Sequence, residues 1–168
     1  MRKRLDNKGF SLIEVIIALA IIMVVSGSII SFLLAGSRSY SSVITTTDLQ
    51  KEAQLVMNQI SDIVISAEKE VRYTGSPLEV INENEKYEIS YVPAEKKIYY
   101  KKSVIDTMSR SFEIKENVLM AENVTAFSAD VIRAEGKNKI RVKMKLKNNS
   151  QSYVKEEIIT PRNENVVK

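Results

Sequence analysis

From Phe10 to Gly36 the chain is almost unbroken apolar sequence. Twenty of these 27 residues are Ala, Val, Ile, Leu, Met or Phe, and Glu14 is the only charge. A helix of that length rises roughly 40 Å, enough to cross a bilayer. Beyond it the apolar residues thin to a helical period. Leu49, Ala53, Val56, Ile60, Val64, Ala67 and Val71 recur at three and four residues, with Asp48, Gln50, Lys51, Glu52, Gln54, Asn58, Gln59, Asp62 and Glu68 between them. This predicts one helix from about Phe10 to Tyr73, stopped by Gly75 and Pro77. Ser26-Gly27-Ser28 and Gly36-Ser37 are its weak points.

After Pro77 the period falls to two. Tyr87, Ile89 and Tyr91 alternate with Glu88 and Ser90, Pro93-Ala94-Glu95 turns the chain, and Lys97 to Lys102 returns it. Phe112 and Ile114 mark a short strand, and Val124 to Ile132 another. Glu135-Gly136-Lys137-Asn138 leads into Lys139 to Lys147, and Asn148-Asn149-Ser150 into Tyr153 to Thr160. Pro161-Arg162-Asn163 ends the order, with fraying expected beyond it. The predicted fold is α+β, a long N-terminal helix packed on an antiparallel β-meander. Its sections are a short basic head (1–9), an apolar helix (10–36), an amphipathic helix (37–75) and the sheet domain (76–168).

Composition removes several chemistries. There is no Cys and no His. A disulfide framework, a Cys nucleophile, a zinc site of thiolate or imidazole, and a Ser-His-Asp arrangement are all excluded. No Ser or Tyr sits beside a recognisable base, so no enzyme and no cofactor is expected. Residues 1–9 carry Arg2, Lys3, Arg4 and Lys8 against Asp6, a net +3 that leaves only +1 of the total +4 for the remainder. Four early cations against Arg38 just past the apolar run place the N-terminus in the cytoplasm and the sheet domain outside the membrane. A cleaved signal peptide and a plain single-span anchor both fit this pattern. Neither accounts for Glu14, since a carboxylate in the bilayer costs about 2.5–3.5 kcal/mol and is usually partnered.

Lys8-Gly9-Phe10-Ser11-Leu12-Ile13-Glu14-Val15 resembles the processing site of type IV prepilins and pseudopilins. The resemblance implies that prepilin peptidase removes the leader between Gly9 and Phe10 and methylates Phe10. Glu14 is then the fifth mature residue, where the family carries its Glu. A buried carboxylate can be satisfied by the cationic amine of a neighbour's Phe10, and that pairing would set the register of stacked helices. The implied partners are prepilin peptidase, other pilins or pseudopilins, the assembly-platform membrane protein, and lipid before assembly. Many major pilins carry a helix-bending Pro in this region, and this chain has none. The strand layout and the closing Thr160-Pro161-Arg162-Asn163 resemble J-type pseudopilins and their pilus counterparts. The expected function is therefore a minor pilin or pseudopilin of a type IV pilus-like filament.

From Lys139 to Lys147 the sequence alternates strictly. Lys139, Arg141, Lys143, Lys145 and Lys147 are basic, and Ile140, Val142, Met144 and Leu146 are apolar. A DNA-contacting ridge would make the protein a competence-type DNA-uptake pseudopilin. The favoured reading is a half-buried strand whose cations solubilise its outer face and discourage edge pairing. No aromatic residues interleave with the cations, as single-strand binding would require. Asn82-Glu83-Asn84-Glu85 offers oxygens to calcium but lacks the Asp spacing and Gly of a dedicated loop, so a turn is expected there. A membrane-anchored extracellular binding domain outside any filament is the remaining alternative.

Overall fold

The computed structural model describes residues 11–73, 76–106, 110–134, 136–163 and 167. One helix and eight strands follow one another: α1 (Leu12–Ile65), β1 (Glu70–Tyr73), β2 (Leu78–Ile81), β3 (Glu85–Val92), β4 (Lys97–Ile105), β5 (Phe112–Ala121), β6 (Val124–Ala134), β7 (Lys137–Asn148) and β8 (Gln151–Ile159). The chain divides into two compact units, Met1–Val43 and Ile44–Lys168.

In the first unit α1 stays helical through Ser26-Gly27-Ser28 and Gly36-Ser37, the two predicted weak points. Two of its hydroxyls are satisfied within the helix: Ser28 Oγ donates to the Val24 carbonyl at 3.0 Å and Ser31 Oγ to the Gly27 carbonyl at 2.9 Å. Ser28 and Ser31 are thereby compatible with an apolar surround, because each hydroxyl has a backbone acceptor.

In the second unit all seven residues of the predicted stripe, Leu49 to Val71, are buried. The helix, however, ends at Ile65 instead of near Tyr73. Ser66 Oγ turns back to the Ile63 carbonyl, Ala67 N closes a tight turn on the Val64 carbonyl, and Glu70–Tyr73 then pairs with Leu78–Ile81 as β1 and β2. Val71 is core as a strand residue, so a period of three or four persisted by coincidence after the backbone had changed. Pro77 directly precedes β2 and does not stop the helix, and Gly75 lies outside the described residues.

The strands form two antiparallel sheets, β1-β2-β3-β4-β5 and β6-β7-β8, each in sequence order. The expected single meander is therefore split at β5–β6. The sheets are joined there by backbone bonds from Val124 N to the Lys96 carbonyl and from Lys147 N to the Asn123 carbonyl, both 2.8 Å, and by Tyr91 Oη on the Val124 carbonyl at 3.2 Å. Met57, Ile60 and Val64 of α1 share one buried cluster with Val80, Ile89 and Ile98 of the first sheet and Ile140, Val142, Met144 and Leu146 of the second. Arg162, Asn163 and Val167 are held more firmly than the expected fraying allowed. Arg162 N donates to the Ile65 carbonyl at 3.2 Å and Asn163 Nδ2 to the Glu68 carbonyl at 3.3 Å, while Val167 is buried in a parallel bridge with Val71.

The outer face of the first sheet carries a charge ladder. Glu79 and Glu88 lie directly opposite each other, and Lys86 Nζ sits 2.8 Å from both. The bond from Lys86 holds the Glu88 carboxyl below its ordinary value of 4.5, and Lys102 does the same for Glu85. A depressed carboxylate contributes stability above its unfolded pKa and loses it as pH falls through the folded one. The melting temperature of the full chain in detergent should therefore drop as pH falls below about 4.5. Glu88→Gln should be less stable than the parent at pH 7 and lose less on acidification. An equal acid slope in both proteins would rule out Glu88 as a contributor.

Candidate functional site

Gly9 and Phe10, the expected processing pair, lie outside the described residues. The described residues begin at Ser11, just ahead of α1, and there Glu14 has a local role. Ser11 N donates to Glu14 Oε2 at 2.9 Å, and Ser11 Oγ accepts from Ile13 N at 3.2 Å. Ser11 is the N-cap and Glu14 the third helical residue, so the two form a capping box. Two amides with no helical acceptor are satisfied reciprocally, a cap worth about 0.5–2 kcal/mol. Ser11 was missed by sequence reasoning, although the S-x-x-E spacing before an apolar run was legible. The carboxylate still keeps Oε1 unengaged among the described residues, so local capping and an external partner are compatible.

The helix that follows exposes its apolar side chains on every face. Leu12, Phe32 and Val24 are 80%, 77% and 72% exposed. No residue from Ser11 to Ser41 is buried. The segment is long and apolar enough to cross a membrane. All-round apolarity without protein cover calls for lipid or the apolar helices of other chains as solvent.

The basic strand is placed as its alternation predicts. Ile140, Val142, Met144 and Leu146 are fully or nearly fully buried, while Lys143, Lys145 and Lys147 are exposed. One part of the expectation is corrected: β7 is the central strand of its sheet, so its cations guard no edge. Its neighbours supply acids. Glu156 of β8 lies 3.5 Å from Arg141 and 3.6 Å from Lys143, and Asp130 of β6 is directly opposite Arg141. Lys139 also has an interaction partner. Lys145 faces Ala126 and Val154 and forms no ion pair among the described residues. The five cations are thus divided between a neutralised upper stretch and an open end at Lys145 and Lys147, which thins the field a phosphate backbone would meet.

Asn82-Glu83-Asn84 forms the turn between β2 and β3, closed by Asn82 N on the Glu85 carbonyl at 2.9 Å. Asn82 Oδ1 is committed to Glu68 N, also at 2.9 Å.

The family model for the prokaryotic N-terminal methylation motif matches residues 4–30. No curated protein and no solved structure matches the chain. The matched stretch takes in the basic head from Arg4 onward, Gly9, Phe10, the Ser11–Glu14 cap and most of the exposed apolar helix, ahead of a helix packed on antiparallel sheets. With that motif ahead of that architecture, the chain is similar to type IV pilin-like precursors.

Proposed function

We propose that this chain is a structural subunit, a minor pilin or pseudopilin, of a type IV pilus-like filament. The methylation motif, continuous with an apolar helix exposed on all sides, carries this reading. In it, prepilin peptidase removes residues 1–9 and methylates Phe10 at the membrane. The N-terminus faces the cytoplasm and the sheet domain the outside. The helix then leaves lipid through the assembly platform to pack among other pilin helices. No catalytic step is assigned to the chain. Its chemistry is one ion pair, between the new amine at Phe10 and the carboxylate of Glu14 in an adjacent subunit. Desolvation by apolar neighbours strengthens such a pair and makes either partner costly alone.

The test is the intact mass of the protein purified from its own membranes. Loss of residues 1–9 and addition of one methyl group at Phe10 is the expected result. A chain beginning near Ile29 would establish a cleaved signal peptide, and an uncut chain a plain anchor.

A further inference from the structure

Two surfaces of the Ile44–Lys168 unit carry unmatched charge of opposite sign at opposite ends of its helical stretch. At the Ile65 end, α1 and the first sheet enclose an open groove of about 280 Å³. Asp62 and Glu116 line it from either side, both exposed and neither in an ion pair among the described residues. The groove's cation, Lys102, stands opposite Glu116 in the β4–β5 register, but its Nζ lies 2.8 Å from Glu85 and over the Tyr87 ring. One cation thus serves the three carboxylates of Asp62, Glu85 and Glu116, and the groove keeps a net negative charge. Burial within this groove raises the pKa of both Tyr87 and Tyr100, as expected where water is partly excluded. A carboxylate beside such a surface gains from an incoming ammonium.

The other surface lies at the Thr46 end. Thr46 Oγ1 contacts Gln151 Oε1 at 3.4 Å, which places the β7–β8 turn there. The last outward residues of β7 before that turn are Lys145 and Lys147, exposed and without ion pairs among the described residues. From Thr46 to Asp62 the helix rises about 24 Å.

From this charge complementarity we propose that the acidic groove of one copy receives the Lys145–Lys147 surface of a second copy. The proposal rests on the filament reading. The two surfaces are different and sit at opposite ends, so the contact is heterologous and leaves one surface open at each end of any stack. A contact of this kind allows all copies to point their helices the same way, as anchorage in one membrane requires. A two-fold contact between identical surfaces would instead place acid on acid.

The chain has no Cys, so a pair of introduced ones reports this contact cleanly. Two differently tagged full-length copies, one Glu116→Cys and one Lys145→Cys, are co-produced in membranes and mildly oxidised. A disulfide joining the two tags is expected, in several-fold excess over Glu116→Cys paired with Lys51→Cys. The pair Asp62→Lys and Glu116→Lys on one copy, or Lys145→Glu and Lys147→Glu on the other, is then combined with Cys at Gln59 and at Lys143. Either reversal alone should lower that disulfide at least about fivefold, since like charges now meet. Both reversals together should restore it, which separates a lost contact from a lost fold. A yield no higher than the Lys51→Cys control overturns the proposal, as does failure of the paired reversal to restore it. Retention of DNA by the full chain that depends on Lys145 and Lys147, with the disulfide unchanged by reversal, overturns it in favour of a nucleic-acid surface. Intact mass of the same samples keeps the two readings apart. A chain cut before Phe10 that forms no disulfide ends the contact and leaves the filament reading. An uncut chain that forms it keeps the contact and ends the filament reading.

Discussion

Replacing Glu14 with Ala or Val should leave membrane insertion intact or improved and remove most of this chain from filaments. Insertion gains because a carboxylate worth about 2.5–3.5 kcal/mol of penalty leaves the apolar run. Assembly suffers because the amine of a neighbouring Phe10 is left buried without its partner, a loss of about 3–5 kcal/mol where the pair is fully desolvated. Even half of that is more than tenfold in an association constant, since about 1.4 kcal/mol is a factor of ten. The capping box adds a second consequence. Glu14 Oε2 accepts from Ser11 N, so Ala also frays the first turn of α1. Glu14→Gln separates the two effects, since an amide oxygen can still cap Ser11 but cannot pair with a cation. If Gln assembles like the parent and Ala does not, the cap is what assembly needs and the charge pairing is wrong. If both are excluded while both insert, the charge is what matters. The measurement is the amount of this chain in sheared filaments relative to membranes, because total pili report the other subunits.

The proposed processing and register residues are read from local signals. Gly9, Phe10 and Glu14 are set by a few contiguous residues and by the absence of other charge in the following run. Ser11 belonged to the same local code and needed only the three-residue spacing to Glu14 to be recognised as a cap. The core face of α1 was equally plain, since Leu49 to Val64 follow the helical period and all face one cluster. What failed were features decided at a distance. The helix end is set by pairing of Glu70–Tyr73 with Leu78–Ile81, a competition that a periodicity count cannot weigh. The central position of β7 depends on β8 returning beside it, and the sequence alternates in the same way whether a strand is central or at an edge. The strand around Phe112 and Ile114 runs on to Ala121 although eight of its ten residues are exposed, because backbone pairing with β4 and not burial sustains it. Asp62 and Glu116 meet at one groove only after the first sheet folds onto α1.

Ile60→Asp should unfold the Ile44–Lys168 unit outright. Ile60 is fully buried, one turn from Met57 and Val64 and at the centre of the cluster that both sheets share. Removing its side chain alone costs about 2–5 kcal/mol in lost burial and cavity. The carboxylate adds the penalty of a charge with no partner among its buried apolar neighbours, several kcal/mol more unless it protonates. A domain of this size has about 5–15 kcal/mol in all, so the sum approaches or exceeds its whole stability. Leu55→Asp on the same helix is the control. Leu55 is 70% exposed, and its replacement should change stability by no more than about 0.5 kcal/mol. In full-length chains held in detergent, Ile60→Asp should lose the strand signal in circular dichroism and its cooperative melt. Leu55→Asp should keep both. The helical signal of the first unit should persist in either variant, because its apolar side chains find their solvent in detergent or lipid and not in the sheets. Equal melting temperatures for the two Asp variants would mean that the Leu49–Val64 face is not the core. That face would then be a surface for other subunits, and the groove at Asp62 would lose the wall that defines it.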